Sequence, residues 1–264
     1  MKINCVFNPV GKWYCRVICY VLLFVLSLIS LGCIFMDRIL FPTPSTDGQK
    51  AGNLTLHAGD VVLDALWMPC ENPKAVILYS HGNGEYLSMI KPWLEKFTQH
   101  NYSILAYDYA GYGGSTGKAG EKQAYLDIEA AYNYLTQTEK ISPEQIIVTG
   151  FSVGSGPSSY VAEKYPVKGL VLAAPFASAI QVVLPFSLPF DRFENAERLS
   201  RKEVPVLIFH GTRDWIVPYH NSKTIFKKAI GRKKFVTITG AGHNDIFLSA
   251  GDKFWEEIEN HLLQ

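Results

Sequence analysis

The sequence predicts an α/β fold: a mostly parallel, doubly wound sheet, led by an antiparallel hairpin and interrupted late by a short lid. Three observations carry this expectation. Short, unbroken apolar runs recur, of which Ala75–Ser80 (AVILYS) is typical, as strands covered on both faces require. Stretches with helical spacing of apolar residues lie between them, and strand–helix alternation implies right-handed crossovers. Finally, 264 residues with 48% hydrophobic and 19% charged residues supply a sizeable core and exclude a disordered chain.

The elements follow in order. Leu54–His57 and Val61–Trp67 read as a hairpin turned at Gly59-Asp60. Strand Ala75–Ser80 comes next, then a helix over about Tyr86–Gln99, strand Ser103–Tyr107 and a helix over about Glu121–Thr138. Strand Ile146–Gly150 leads into a helix ending near Lys164, and strand Gly169–Ala173 follows. After a break come strand Val206–His210, helix Asn221–Ile230, strand Phe235–Thr239 and a last helix over about Ala250–Leu263. The break, about residues 175–203, is long for a loop in a compact domain, which favours a lid. Its middle, Val182 to Phe190, is apolar but punctuated by Pro185 and Pro189. It reads either as ordinary core cover or as the wall of an acyl-binding pocket.

The expected domain organisation is an N-terminal segment, residues 1–40, and a catalytic body, residues 41–264, joined through Pro42, Pro44, Asp47 and Gly48. Val17–Met36 contains no charged residue, and its 20 residues would make a helix about 30 Å long, the thickness of a bilayer core. Lys2, Lys12 and Arg16 precede it without an acid, leaving −2 on the rest of a chain whose formal charge is +1. The Lys/Arg bias predicts a single span with the N-terminus cytoplasmic and the catalytic body extracytoplasmic. A cleaved signal is the competing reading: Ser30-Leu31-Gly32 offers small residues for cleavage before Cys33, giving a lipoprotein or a secreted form. The expected partners are membrane lipid through this segment and an acyl substrate. Near-neutral charge argues against a nucleic-acid partner.

Cys5, Cys15, Cys19 and Cys33 fall in the N-terminal segment and only Cys70 in the body, so no disulfide can form within the body. Cys15 and Cys19 read as acylation sites or as ordinary thiols. No Cys-x-x-Cys or His-Glu-x-x-His pattern occurs, and no metal is expected. The glycines of Tyr107 to Ser115 lack dinucleotide-binding spacing, so no organic cofactor is expected either.

The chemistry begins at Gly150-Phe151-Ser152-Val153-Gly154, a G-x-S-x-G placed after an apolar strand and before a helix. That context lets the chain turn sharply and presents the Ser152 hydroxyl above the sheet, with the Val153 N–H aimed where an oxyanion would form. A serine hydroxyl needs a base, and the base needs an orienting carboxylate. Asp214 follows strand Val206–His210 and His243 follows strand Phe235–Thr239, so the order Ser152, Asp214, His243 fits a triad. Asp245, two residues from His243, is the rival acid but reads better as a brace for the loop. The second oxyanion N–H is expected from Asn83, with Gly84 the alternative, in Ser80-His81-Gly82-Asn83-Gly84-Glu85. His81, His210 and Asp108 read as structural groups rather than reacting ones.

SHGNGE, YDYAGYGGSTGK, ISPEQIIVTGFSVGSGPS, VLIFHGTRDWIVP and GAGHND together resemble the α/β-hydrolase family. Within it the chain is similar to the single-domain, membrane-associated branch that includes the mammalian protein depalmitoylases and their yeast and bacterial relatives. The resemblance covers about Phe41 to the C-terminus. It implies Ser152 as nucleophile, Asp214 as acid and His243 as base, acting on fatty acyl esters or thioesters. Two departures stand out: a full hydrophobic run where those depalmitoylases carry a cysteine-rich N-terminus, and Gly84-Glu85 in the oxyanion loop, which bears on acyl selectivity. The same triad on this scaffold also suits a serine peptidase, and a non-catalytic interaction module is the remaining alternative.

Overall fold

The computed structural model describes residues 9–42, 48, 50–184 and 191–264. It divides into two units, residues 1–39 and 40–264. The first is built around helix α1, Pro9–Leu40. The apolar run is thus helical, but the helix continues through the charged positions on either side, Lys12 and Arg16 before it and Asp37 and Arg38 after it. Among the described residues no helix is long and apolar enough to cross a membrane. This corrects the expected single N-terminal span. The extracytoplasmic placement falls with it, because the Lys/Arg bias orients a span and assigns no side without one.

The second unit holds eight strands among the described residues, ordered β1-β2-β4-β3-β5-β6-β7-β8. β1 (Leu54–Ala58) and β2 (Val61–Met68) form the expected hairpin, with Leu56 opposite Leu63 and Ala58 opposite Val61. β2 then pairs antiparallel with β4 (Ser103–Tyr107), and the remaining neighbours, β3 (Val76–Ser80) to β8 (Lys233–Ile238), are parallel. β3, β4, β5 (Ile146–Phe151), β6 (Gly169–Ala173) and β7 (Val206–Gly211) are buried along their whole length. Helices on both faces remove them from water, which is why they read as continuous apolar runs rather than alternating ones.

The helices are α2 (Leu87–Gln99), α3 (Glu121–Asn133), α4 (Ser155–Lys164), α5 (Asn195–Arg198), α6 (His220–Lys228), α7 (Ile246–Ala250) and α8 (Asp252–Ile258). The sequence predicts the last helix as one piece from about Ala250. The structure bears this out, with α8 from Asp252 and helical turns continuing to Leu263; the short α7 before it is additional, set off by Gly251 at φ 52°, a conformation that only glycine adopts cheaply. In the interruption, a short turn at Ile180–Val182 and α5 are the regular elements described. The apolar stretch at residues 185–190, and Pro44 and Asp47 of the linker, lie outside the described residues. The described part is tied down: Phe193 is fully buried against Gly156 of α4, and its N–H donates to Glu121 Oε1 at 2.7 Å. Asn195 donates to the Phe176 carbonyl at 2.9 Å.

Candidate active site

β5 ends at Phe151, and Ser152 opens a tight turn that runs directly into α4. Ser152 has φ 51°, a left-handed conformation that costs a non-glycine residue on the order of 1–3 kcal/mol. The two flanking glycines make that turn possible. A Cβ on Gly150 would overlap the Gly154 carbonyl, and one on Gly154 would overlap the Ser80 carbonyl at the end of β3. The serine is therefore pressed against the carboxyl end of the sheet.

Two loops complete the constellation. Asp214 follows β7 and His243 follows β8, each just past the strand's carboxyl end. Ser152, Asp214 and His243 are all buried. His243 Nδ1 lies 2.7 Å from Asp214 Oδ2, and His243 Nε2 lies 2.8 Å from Ser152 Oγ. With Nδ1–H donating to the carboxylate, Nε2 is left to accept from the serine hydroxyl, the arrangement a general base needs. The Phe151 ring, 5.1 Å from the imidazole, packs along one side of it.

Asp214 has more partners than its histidine. The N–H groups of Ile216 and Val217 donate to Oδ1 at 3.0 and 2.8 Å, and His210 Nε2 stands 3.2 Å from Oδ2. Burial works against the charged carboxylate, but the hydrogen bonds from His210, His243 and Val217 outweigh it and hold its pKa well below the ordinary range. His210 is itself fixed, with Nδ1 2.5 Å from Ser222 Oγ and Nε2 2.9 Å from the Val217 carbonyl. In sequence His210 reads as structural only. Its contact with Asp214 crosses a turn after β7, and no spacing rule for helix or strand announces it.

The other titratable groups singled out in the sequence sit apart from this chain of contacts. His81 is fully buried, with Nδ1 2.9 Å from the Gly82 carbonyl, and burial lowers its pKa to about 4. It lies 3.6 Å from Asp108, whose carboxyl burial raises to about 7. Asp108 accepts the Leu87 N–H at 2.8 Å and so fixes the start of α2. Asp245 accepts the Gly242 N–H at 2.7 Å and the Ser249 hydroxyl at 3.0 Å, bracing the His243 loop.

A cavity of about 450 Å³ opens above Ser152 and His243, lined among others by Asn83, Gly84, Glu85 and Ile216. Asn83 is thus placed on the reaction space. Val153 is buried beside Ser152 and is not part of the cavity wall, so any role it has there is through its backbone. Glu85, which the sequence singles out with Gly84 as a departure in the oxyanion loop, is part of that wall. Its carboxylate folds back to accept the Gly82 N–H at 2.6 Å, closing a turn in which Gly84 has φ 74°. Burial raises the pKa of Glu85, offset in part by the Gly82 hydrogen bond and the proximity of His243. Gly82 itself has no room for a side chain, since a Cβ would stand 2.7 Å from the Phe151 ring.

Comparison with known proteins agrees with this architecture. A family profile described as serine aminopeptidase, S33, matches residues 71–195, and one described as alpha/beta hydrolase fold matches residues 183–250. Alpha/beta hydrolase domain-containing protein 17B of Homo sapiens is 36% identical over 181 residues, which is 67% of this chain and 63% of the relative. The Xenopus laevis protein of the same name is 35% identical over 183 residues, 68% of this chain and 64% of the relative. The chain thus spans somewhat less than two thirds of the length of these curated relatives. Among solved structures, Est1E from Butyrivibrio proteoclasticus with ferulic acid bound superposes with a TM-score of 0.65 at 20% identity, over 80% of this chain and 100% of that one. Sheet order, serine turn and relatives converge, and the chain belongs to the α/β-hydrolase family.

Proposed function

We propose that the protein is a serine hydrolase that cleaves acyl esters or thioesters through an acyl-enzyme. The observation that carries this reading is His243 bridging Ser152 Oγ at 2.8 Å and Asp214 Oδ2 at 2.7 Å beside an open cavity. In this reading His243 takes the proton from Ser152 as its oxygen attacks the acyl carbonyl. The N–H groups of Asn83 and Val153 receive the oxyanion, and His243 returns the proton to the leaving alcohol or thiol. Water, deprotonated by the same histidine, then releases the acid. Similarity to the alpha/beta hydrolase domain-containing protein 17 relatives supports the hydrolase reading, and the resemblance of the motifs to the depalmitoylases supports acylated substrates. Exposed apolar side chains on α1, among them Tyr20, Leu23 and Phe24, support contact of the N-terminal segment with membrane lipid.

A second reading, a serine aminopeptidase, is favoured by the profile that matches residues 71–195. Acyl transfer to water does not distinguish esters from amides at the three side chains. A panel of acyl esters, acyl thioesters and aminoacyl amides separates the two. The proposal expects turnover of the esters and thioesters that disappears in Ser152→Ala. Turnover confined to aminoacyl amides would transfer the assignment to the second reading, and ester turnover undiminished in Ser152→Ala would refute both.

A further inference from the structure

Beside the reaction cavity lies a second one of about 270 Å³, between α2 and α7. Glu85, Met89 and Asn244 belong to the walls of both, so the two volumes adjoin there. The side cavity is otherwise walled by Tyr79, Ile90, Trp93, Phe247 and Leu248, with Lys96 the one cation among the described residues that line it. A line of rings ties it to the reacting groups. Phe151 packs on His243 at 5.1 Å, Phe247 on Phe151 at 5.3 Å, and Trp93 stacks on Phe247 at 4.4 Å. Leu248 is 81% exposed and Met89 60% exposed, leaving in water apolar surface that a bound chain would cover.

We propose that this side cavity is the acyl-chain site: the chain of the substrate attacked at Ser152 passes Met89 and lies between α2 and α7. The inference rests on the ester or thioester reading above and names the part of the substrate that reading leaves open. Size sets a limit. A methylene occupies about the volume of a water, roughly 30 Å³, so about 270 Å³ holds on the order of nine carbons. Glu85 stands where the two cavities adjoin, with Oε2 held by the Gly82 N–H at 2.6 Å.

The test is a series of p-nitrophenyl esters from acetate to palmitate, assayed on the full chain. Each added methylene that reaches the side cavity should raise kcat/KM by up to about fourfold, and the gain should not level off before about ten carbons. Ile90→Phe, which fills the cavity, should move that levelling to shorter chains. Leu248→Asp, at an exposed position that tolerates the change, should lower the decanoate-to-acetate ratio of kcat/KM at least tenfold. Val183→Asp, on the exposed part of the interruption, should leave the ratio as in the parent. A ratio lowered by Val183→Asp and not by Leu248→Asp would overturn the proposal, as would a flat chain-length series. Failure of every ester to turn over would instead count against the hydrolase reading on which the proposal stands.

Discussion

Exchanging Asp214 for asparagine removes one charge and almost no volume, and the local hydrogen bonds predict the consequence for His243. The amide that replaces the carboxylate keeps a carbonyl oxygen for the N–H groups of Ile216 and Val217, which in the parent donate to Asp214 Oδ1 at 3.0 and 2.8 Å. Its nitrogen must then take the place of Oδ2, facing His243 Nδ1 at 2.7 Å and His210 Nε2 at 3.2 Å. An amide nitrogen donates, so His243 can meet it only with Nδ1 unprotonated. That tautomer puts the ring proton on Nε2, where it faces Ser152 as a donor and cannot accept the hydroxyl proton. The same exchange in a Ser-His-Asp protease lowers kcat about 10⁴-fold, or roughly 5 kcal/mol in the barrier. The expected loss here is on the order of 10³- to 10⁴-fold in the hydrolysis of a short p-nitrophenyl ester. The assay belongs at about pH 7 to 8, near the range in which a histidine base works. Asp214 has a depressed pKa, so its charge is lost only in strong acid and the comparison is of an ion with an amide. Denaturant unfolding of the variant confirms that the fold is retained. If Asp214→Asn folds and keeps more than about a tenth of the parent's kcat, the imidazole does not depend on this carboxylate as a triad requires, and the reasoning is refuted.

Two further predictions concern the architecture around the site. Gly154→Ala places a methyl against the Ser80 carbonyl, so it should cost about 1–3 kcal/mol in denaturant unfolding and lower ester turnover by moving Ser152; unchanged stability and activity would contradict the close packing of the turn. His81 and Asp108 make a pH prediction. Burial lowers His81 to about 4, so between pH 4 and 6.5 the unfolded chain holds one more proton there and stability rises with pH. Burial raises Asp108 to about 7, so over the same window the folded chain holds one more proton and stability falls with pH. In the parent the two contributions oppose each other. In Asp108→Asn only the His81 contribution remains, and unfolding free energy should climb more steeply with pH than in the parent, by about 1 kcal/mol per unit. Parallel pH profiles for the two proteins would contradict the assignment.

Much of this molecule is legible from its residues because the central strands have no polar face to confuse the pattern. β3 through β7 announce themselves as unbroken apolar runs, and the serine turn is marked by glycines whose absent side chains leave room for neighbouring carbonyls. What local pattern does not reveal is long-range or conformational. The run Val17–Met36 has the composition of a span, yet composition does not show where a helix ends, and α1 carries on through charged residues on both sides. The last helix is read correctly, but the short α7 before it is not, because five residues carry too little period to stand out and Gly251 sets them off from α8. His210 reaches Asp214 only because the chain folds back after β7, and Glu85 enters the cavity only because its carboxylate turns onto the Gly82 N–H. Such contacts depend on three-dimensional closure of loops, which periodicity does not encode.

Every step of the proposed chemistry passes through the Ser152 hydroxyl. The most direct measurement treats the folded, full-length protein with a fluorophosphonate, digests it and locates the phosphonylated residue by mass spectrometry. A hydroxyl whose proton is accepted by His243 at 2.8 Å should react alone among the chain's serines, giving a single adduct on the peptide that contains Ser152 and none in Ser152→Ala. An adduct on a different serine, or equal labelling of the alanine variant, would contradict the assignment of Ser152 as nucleophile.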